Sequence, residues 1–219
     1  MESTAAASPR RRGRPRKDQT QPDAPRARLL RKGVEILTEK GFSAVGVEEI
    51  LAAAGVPKGS FYYYFDSKDA FGLALIDEYA AYFARKLDRW FENQDRAPLD
   101  RFRDFVADAR AGMERFGFRR GCLVGNLGQE MGVLPASFRD RLTAVFEDWE
   151  ERTARFLRAA QETGELAADA DCTDLARFFW IGWEGAVLRA KLERRPDPLD
   201  AFADRFLAMI QDKSRKGGR

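Results

Sequence analysis

Residues 47–68, Val-Glu-Glu-Ile-Leu-Ala-Ala-Ala-Gly-Val-Pro-Lys-Gly-Ser-Phe-Tyr-Tyr-Tyr-Phe-Asp-Ser-Lys, leave the chain few choices of fold. The spacing predicts a helix over roughly 47–54 and a second over roughly 58–64. Gly55 permits the sharp turn between them, and Pro57 opens the second without needing its N–H. Ile50, Leu51, Ala54 and Val56 supply the apolar faces of this tight pair. Phe61 and Phe65, four apart, should face inward, which leaves Lys58, Gly59, Ser60, Tyr62 and Tyr63 outward near the helix N-terminus. A helix-turn-helix made to lie against DNA has this form. Gly59 and Ser60 are small enough for close approach to base edges, while Lys58 and the tyrosine hydroxyls offer donors to phosphates or bases. Lys68 adds a cation beside the free N–H groups that open the next helix, a natural phosphate clamp. A helical hairpin with a Tyr-rich packing face is the competing reading of the same residues.

The remaining pattern is helical, and no convincing strand or internal repeat interrupts it. Leu29, Leu30, Val34, Ile36 and Leu37 form a stripe that ends at Gly41, a C-cap. Asp66 or Ser67 caps a long helix carrying Phe71, Leu75, Ile76, Tyr79, Phe83, Leu87 and Trp90. Further helices run from Pro98 to about 116, over about 123–131, from Pro135 to about 163, and over 172–193 and 198–212. The expectation is an all-α chain of about nine helices. It divides into a disordered basic arm (1–25), a three-helix DNA-binding domain (26–70), a helical ligand-binding and dimerisation domain (71–212) and a solvated tail (213–219).

Charge is concentrated rather than large. The net charge is only +3, yet residues 10–17 read Arg-Arg-Arg-Gly-Arg-Pro-Arg-Lys, and the rest of the chain is slightly acidic without them. Such an arm suits a polyanionic partner. Arg12-Gly13-Arg14-Pro15 is the core of an AT-hook, in which Arg12 and Arg14 would enter a narrow A·T-rich minor groove. A plain solvated tail is the alternative. No run approaches the roughly 18 apolar residues of a membrane span, and no apolar run follows the first residues as in a secretory signal. Cys122 and Cys172 are the only cysteines, far apart, and there is no His. No metal site, cofactor or catalytic group is expected, and a reduced, cytoplasmic chain is the natural reading. An enzyme would need a nucleophile elbow, Walker loop or dinucleotide fingerprint, and none is present.

At Gly41-Phe42, Val47-Glu48-Glu49-Ile50, Ala54-Gly55-Val56-Pro57-Lys58-Gly59-Ser60-Phe61-Tyr62-Tyr63-Tyr64-Phe65 and Ser67-Lys68, the chain resembles the TetR family of bacterial repressors. The resemblance implies an all-helical homodimer that binds a palindromic operator as double-stranded DNA and is released by a small-molecule inducer. Two departures stand out. Where members often carry Thr or Ser just before the second helix, this chain has Val45 and Gly46. Where many carry His in the aromatic run, it has Tyr63-Tyr64. The segments 117–130 and 179–186 resemble a branch of the family that senses reactive or α,β-unsaturated small molecules.

The inducer would be met by polar and aromatic residues of those two segments. Interior glycines at 121, 125, 128 and 132 each cost a helix about 1 kcal/mol, which close packing or a cavity would justify. Asn126, Gln129 and Glu130 lie among them, and Trp180, Trp183 and Glu184 share a helix face. Core packing competes for both tryptophans. Cys122, between Arg119-Arg120 and a helix N-terminus, is expected to favour thiolate and to meet an electrophile; a small buried apolar residue is its alternative. Arg115, Arg119, Arg120 and Arg189 are candidates for pairing with a carboxylate ligand. Apolar stripes from Leu175 to Leu188 and from Leu199 to Ile210 suggest a two-chain four-helix interface. A ligand-independent architectural DNA-binding protein is the rival to this reading.

Overall fold

The computed structural model describes residues 24–211, which form nine α-helices and no strand among the described residues. The helices are α1 (Ala24–Lys40), α2 (Val47–Ala54), α3 (Phe61–Tyr64), α4 (Lys68–Phe91), α5 (Pro98–Glu114), α6 (Leu123–Gln129), α7 (Ala136–Glu162), α8 (Cys172–Glu193) and α9 (Asp197–Gln211). The basic arm with Arg12 and Arg14, and the tail at 213–219, lie outside the described residues.

Local chemistry explains the boundaries. Gly55 is left-handed (φ 61°, ψ 38°) and closes α2 through its N–H to Leu51 and Ala52. Pro57 then leads into a 3₁₀ turn, Lys58–Ser60, that runs directly into α3. Ser67 rather than Asp66 caps α4, its Oγ accepting the Ala70 N–H at 3.0 Å. At the start of α2, Val45 is buried and Gly46 has no side chain, so the helix opens without a side-chain cap.

Phe61, Phe65 and Phe71 form one aromatic cluster, with ring centroids 4.9–5.5 Å apart, that fastens α3 to the first turn of α4. A second and larger cluster gathers Phe102, Phe105, Trp149, Phe179, Trp180, Trp183 and Phe206 from α5, α7, α8 and α9. Helix α4 belongs to both. Along it Phe71, Leu75 and Ile76 are buried near one end, Leu87 and Phe91 near the other, and Tyr79 and Phe83 between them are only half-buried. That gap in burial marks a cavity.

Candidate functional site

Two places in the fold carry exposed or convergent chemistry. The first is the turn between α2 and α3. Tyr62 and Tyr63 are 69% and 83% exposed on a helix whose other face, Phe61, is fully buried. Large aromatic rings held out in water by a rigid hairpin are available for contact, whereas the packing alternative requires them covered. Lys58 is exposed and pairs with Glu48 at 2.8 Å, a contact that solvent screens and DNA phosphates can replace. Gly59 has open space around it, and Ser60 is half-buried. Lys68 departs from expectation. Its Nζ donates to the Phe42 carbonyl at 2.8 Å and lies 4.5 Å from that ring's centroid, so it fastens the α1–α2 loop instead of facing outward.

The second place is a cavity of about 250 Å³ between α1, α4, α5, α8 and the segment 115–122, near the lower end of small-molecule sites. Its inner wall holds Tyr79, Phe83, Cys122, Trp183 and Glu184, and its outer part Lys86, Arg115, Phe116 and Arg120. Cys122 caps α6, its sulfur accepting the Gly125 N–H at 3.5 Å. Tyr79 and Glu184 stand beside the thiol on the same wall: an added Cβ at Gly125 would touch both Glu184 Oε2 and Cys122 Cβ. Burial pushes the Cys122 thiol well up, and the nearby Glu184 charge adds to the rise. Burial likewise holds the Glu184 carboxyl at about 7 and raises Tyr79 well above the usual phenol. The expectation that Arg119 and Arg120 favour a Cys122 thiolate is therefore corrected. Arg119 reaches Glu39 at 3.5 Å, and Arg120 lies 3.9 Å from both Glu35 and Glu39.

Of the seven expected ligand contacts, the fold brings Cys122, Trp183 and Glu184 into the cavity. The other four do not line it. Trp180 is buried in the aromatic core and donates its Nε1–H to Thr153 Oγ1 at 2.9 Å. Gln129 is exposed. Asn126 Nδ2 donates to the Thr38 and Leu37 carbonyls at 2.9 and 3.3 Å. Glu130 accepts from Phe42 N–H and Ser43 N–H at 2.8 and 2.7 Å. Asn126 and Glu130 thus hold the C-terminal end of α1 and the loop leading to α2, where four carbonyls lack helical partners. Gly121 N–H and Lys191 Nζ join Asn126 on the Thr38 carbonyl at 3.2 and 3.0 Å. The chain segment that lines the cavity at Gly121-Cys122 therefore grips the end of α1 and the loop leading into α2 a few residues later.

Tyr79, Phe83 and Lys191 escaped the sequence reading as site residues. The first two sit in a regular apolar stripe that fits a core equally well, and nothing local marks Lys191. Among the arginines, Arg115 and Arg120 line the cavity, while Arg189 pairs with Glu193 at 2.6 Å on the surface. Arg120 stacks 3.9 Å over Phe116, and its buried Nε has no hydrogen-bond acceptor.

Comparison with known proteins agrees with this layout. A family model for the N-terminal part of the tetR family of bacterial regulatory proteins matches residues 29–75, and one described as tetracyclin repressor-like, C-terminal domain, matches residues 98–217. The chain belongs to the TetR family of transcriptional regulators. It is 61% identical to the transcriptional regulator AcuR of Cereibacter sphaeroides, covering 90% of this chain and 89% of that one. It is 36% identical to the transcriptional repressor DhaR of Mycobacterium sp. strain GP1, covering 81% and 87%. The crystal structure of a TetR regulatory protein from Rhodobacter sphaeroides superposes with a TM-score of 0.82 at 61% identity, covering 84% of this chain and 97% of that one. The helix-turn-helix of this TetR-family chain is α2–α3, within the matched residues 29–75.

Another surface remains unpartnered in the single chain. Phe178, Ile181, Gly185, Leu188 and Leu192 follow one another along α8 at spacings of three and four, with Ile181 67% and Leu192 73% exposed. The stripes expected to form an interface are divided by the fold. Phe179 on α8 and Leu199, Phe206, Leu207 and Ile210 on α9 are buried within the chain. No helix among the described residues is long and apolar enough to cross a membrane.

Proposed function

We propose that this chain is a homodimeric repressor that a small α,β-unsaturated or otherwise electrophilic compound releases from a palindromic operator. The observation that carries the reading is the shared segment Gly121–Glu130. Its first residues line the cavity, and Asn126 and Glu130 hold α1 and the α1–α2 loop. A ligand that moves Gly121 and Cys122 disturbs those clamps and so the setting of α2 and α3.

The cavity's chemistry supports the ligand class. Cys122 offers sulfur at the inner wall, and Arg120, whose Nε lies 3.9 Å from Glu39 but makes no hydrogen bond, suits a carboxylate or carbonyl oxygen two residues away. A three-carbon unsaturated acid such as acrylate combines both features. On the DNA, Lys58, Gly59, Ser60, Tyr62 and Tyr63 make the contacts. The α8 stripe covers its counterpart in a second copy, so that two recognition helices meet major grooves about 34–36 Å apart.

A mobility-shift assay on the DNA upstream of the chain's own gene tests the reading. Binding at nanomolar protein, lost on adding acrylate or a quinone, is expected. A complex that no such compound dissociates would sink the ligand part while leaving the DNA part standing. Tyr63→Ala should weaken operator binding about tenfold, with unfolding free energy unchanged within about 0.5 kcal/mol because the ring lies in water.

A further inference from the structure

We propose that Glu184 is the proton acceptor that makes Cys122 a nucleophile, so that the two residues form an addition site for electron-poor alkenes. The inference rests on the electrophile reading above and supplies the group that reading lacks. A thiolate adds to an alkene and a neutral thiol does not. The cations around the cavity are mostly engaged elsewhere, and only Arg115, in its outer part, makes no ion pair among the described residues. Arg119 and Arg120 lean toward Glu35 and Glu39, Lys86 pairs with Asp108 at 3.0 Å, and Lys191 is bound to the Thr38 carbonyl.

Glu184 is placed to take the proton. It reaches across from α8 to the wall that Cys122 occupies, and the two side chains flank the position of a Cβ at Gly125. The approach depends on Gly125, because a Cβ at that position would collide with Glu184 Oε2. Glu184 makes no ion pair among the described residues, and Cys122 is its neighbour on the cavity wall. A carboxylate set half-buried in a cavity wall without a cation carries a cost that a purely structural residue does not need. Held at about 7, its carboxyl has the affinity a general base needs near neutral pH. The titratable and charged groups facing it are Tyr79 and Lys86 on α4, Cys122 at the start of α6, Glu35 on α1, and Arg115 and Arg120 at the outer part of the cavity.

The step balances without a co-reactant. Glu184 accepts the thiol proton as the Cys122 sulfur pair forms a C–S bond to the β-carbon of the alkene. The π pair moves toward the ligand's carbonyl as an enolate, and the protonated Glu184 returns its proton to the α-carbon. A thioether results, and Glu184 is again a carboxylate. The Gly125 N–H at 3.5 Å and the Tyr79 hydroxyl steady the transient thiolate.

Acrylamide, a small neutral electron-poor alkene, is the probe, with the Cys122 adduct followed by peptide mass mapping of the full chain from pH 5.5 to 9.5. The wild-type rate should rise through about pH 7 and then level. E184Q should react about 10- to 100-fold more slowly at pH 7.5, with a profile that rises only above pH 9. If Glu184 merely repels a thiolate, E184Q removes a negative charge and reacts faster, which overturns the proposal. Should E184Q fail to fold, the wild-type profile decides: an inflection near 7 supports a base, and one found only above 9 refutes it. A folded wild type that forms no Cys122 adduct, while the urea-unfolded chain does, defeats the electrophile reading itself and not the role of Glu184 alone.

Discussion

Glu184 shows how one residue's surroundings become a measurable property of the whole chain. Its carboxyl rises from 4.5 to about 7 on folding because burial disfavours the charge. The folded state therefore holds a proton that the unfolded state gives up at lower pH. Stability is full below about 4.5 and is lost as pH rises through about 7, by about 3 kcal/mol at most. Glu184→Gln carries no such penalty. Urea unfolding at pH 5 and pH 8 should show E184Q gaining on the wild type as pH rises, and a constant difference would contradict the buried carboxylate. Gly125→Ala is the companion test. A methyl group there meets the Glu184 carboxylate, so a loss of about 1–3 kcal/mol is expected in the same assay, smaller in the double variant with Glu184→Ala. The sequence marked Cys122 and Glu184 as candidates, but their mutual contact was not legible: 62 positions separate them, and α4, α6 and α8 must pack before they meet.

Among the elements around the cavity, α6 is the shortest. Seven residues long, it would not hold as an isolated helix. Its stability comes from what its two ends hold, Cys122 at the first turn and Asn126 and Glu130 toward the last. Asn126→Ala leaves the Leu37 and Thr38 carbonyls with fewer donors and should cost about 1–2 kcal/mol. Its informative effect is on coupling. Operator affinity without inducer should stay within about threefold, while the inducer concentration for half-release rises about tenfold or more in the mobility-shift assay. Equal shifts in both would show that Asn126 only supports the fold. The glycine-rich stretch 117–132 had suggested polar groups around a ligand. The fold instead directed Asn126 onto the last carbonyls of α1 and Glu130 onto N–H groups of the α1–α2 loop. Side chains and bare helix ends compete for the same amides, and only the packed chain decides between them.

For the whole molecule, the exposed α8 stripe is the feature a single chain cannot account for. Its apolar residues at alternating spacings of three and four are the pattern of a helix meeting another helix. Leu188→Glu should convert a dimer into a monomer at micromolar concentration in sedimentation equilibrium. It should also weaken operator binding by about 100-fold, because one recognition helix then binds without the other. A variant that stays dimeric would place the interface elsewhere.

The linear chain determined the nine helices of the described residues, their boundaries to within about two residues except at α3, which opens three residues late behind a 3₁₀ turn, and the outward face of α3. Those features depend on caps, turns and periodicities spanning a few residues, such as Gly55, Pro57, Ser67 and the Phe61–Phe65 pair. Tertiary structure alone decided which apolar residues are core and which are cavity wall. Trp180 and Trp183 share one helix face, yet one meets Thr153 in the interior and the other borders open space; Tyr79 and Phe83 continue a stripe whose neighbours are buried. A side chain's periodicity says which way it points, and only the elements packed opposite it say whether it meets another side chain or an empty volume.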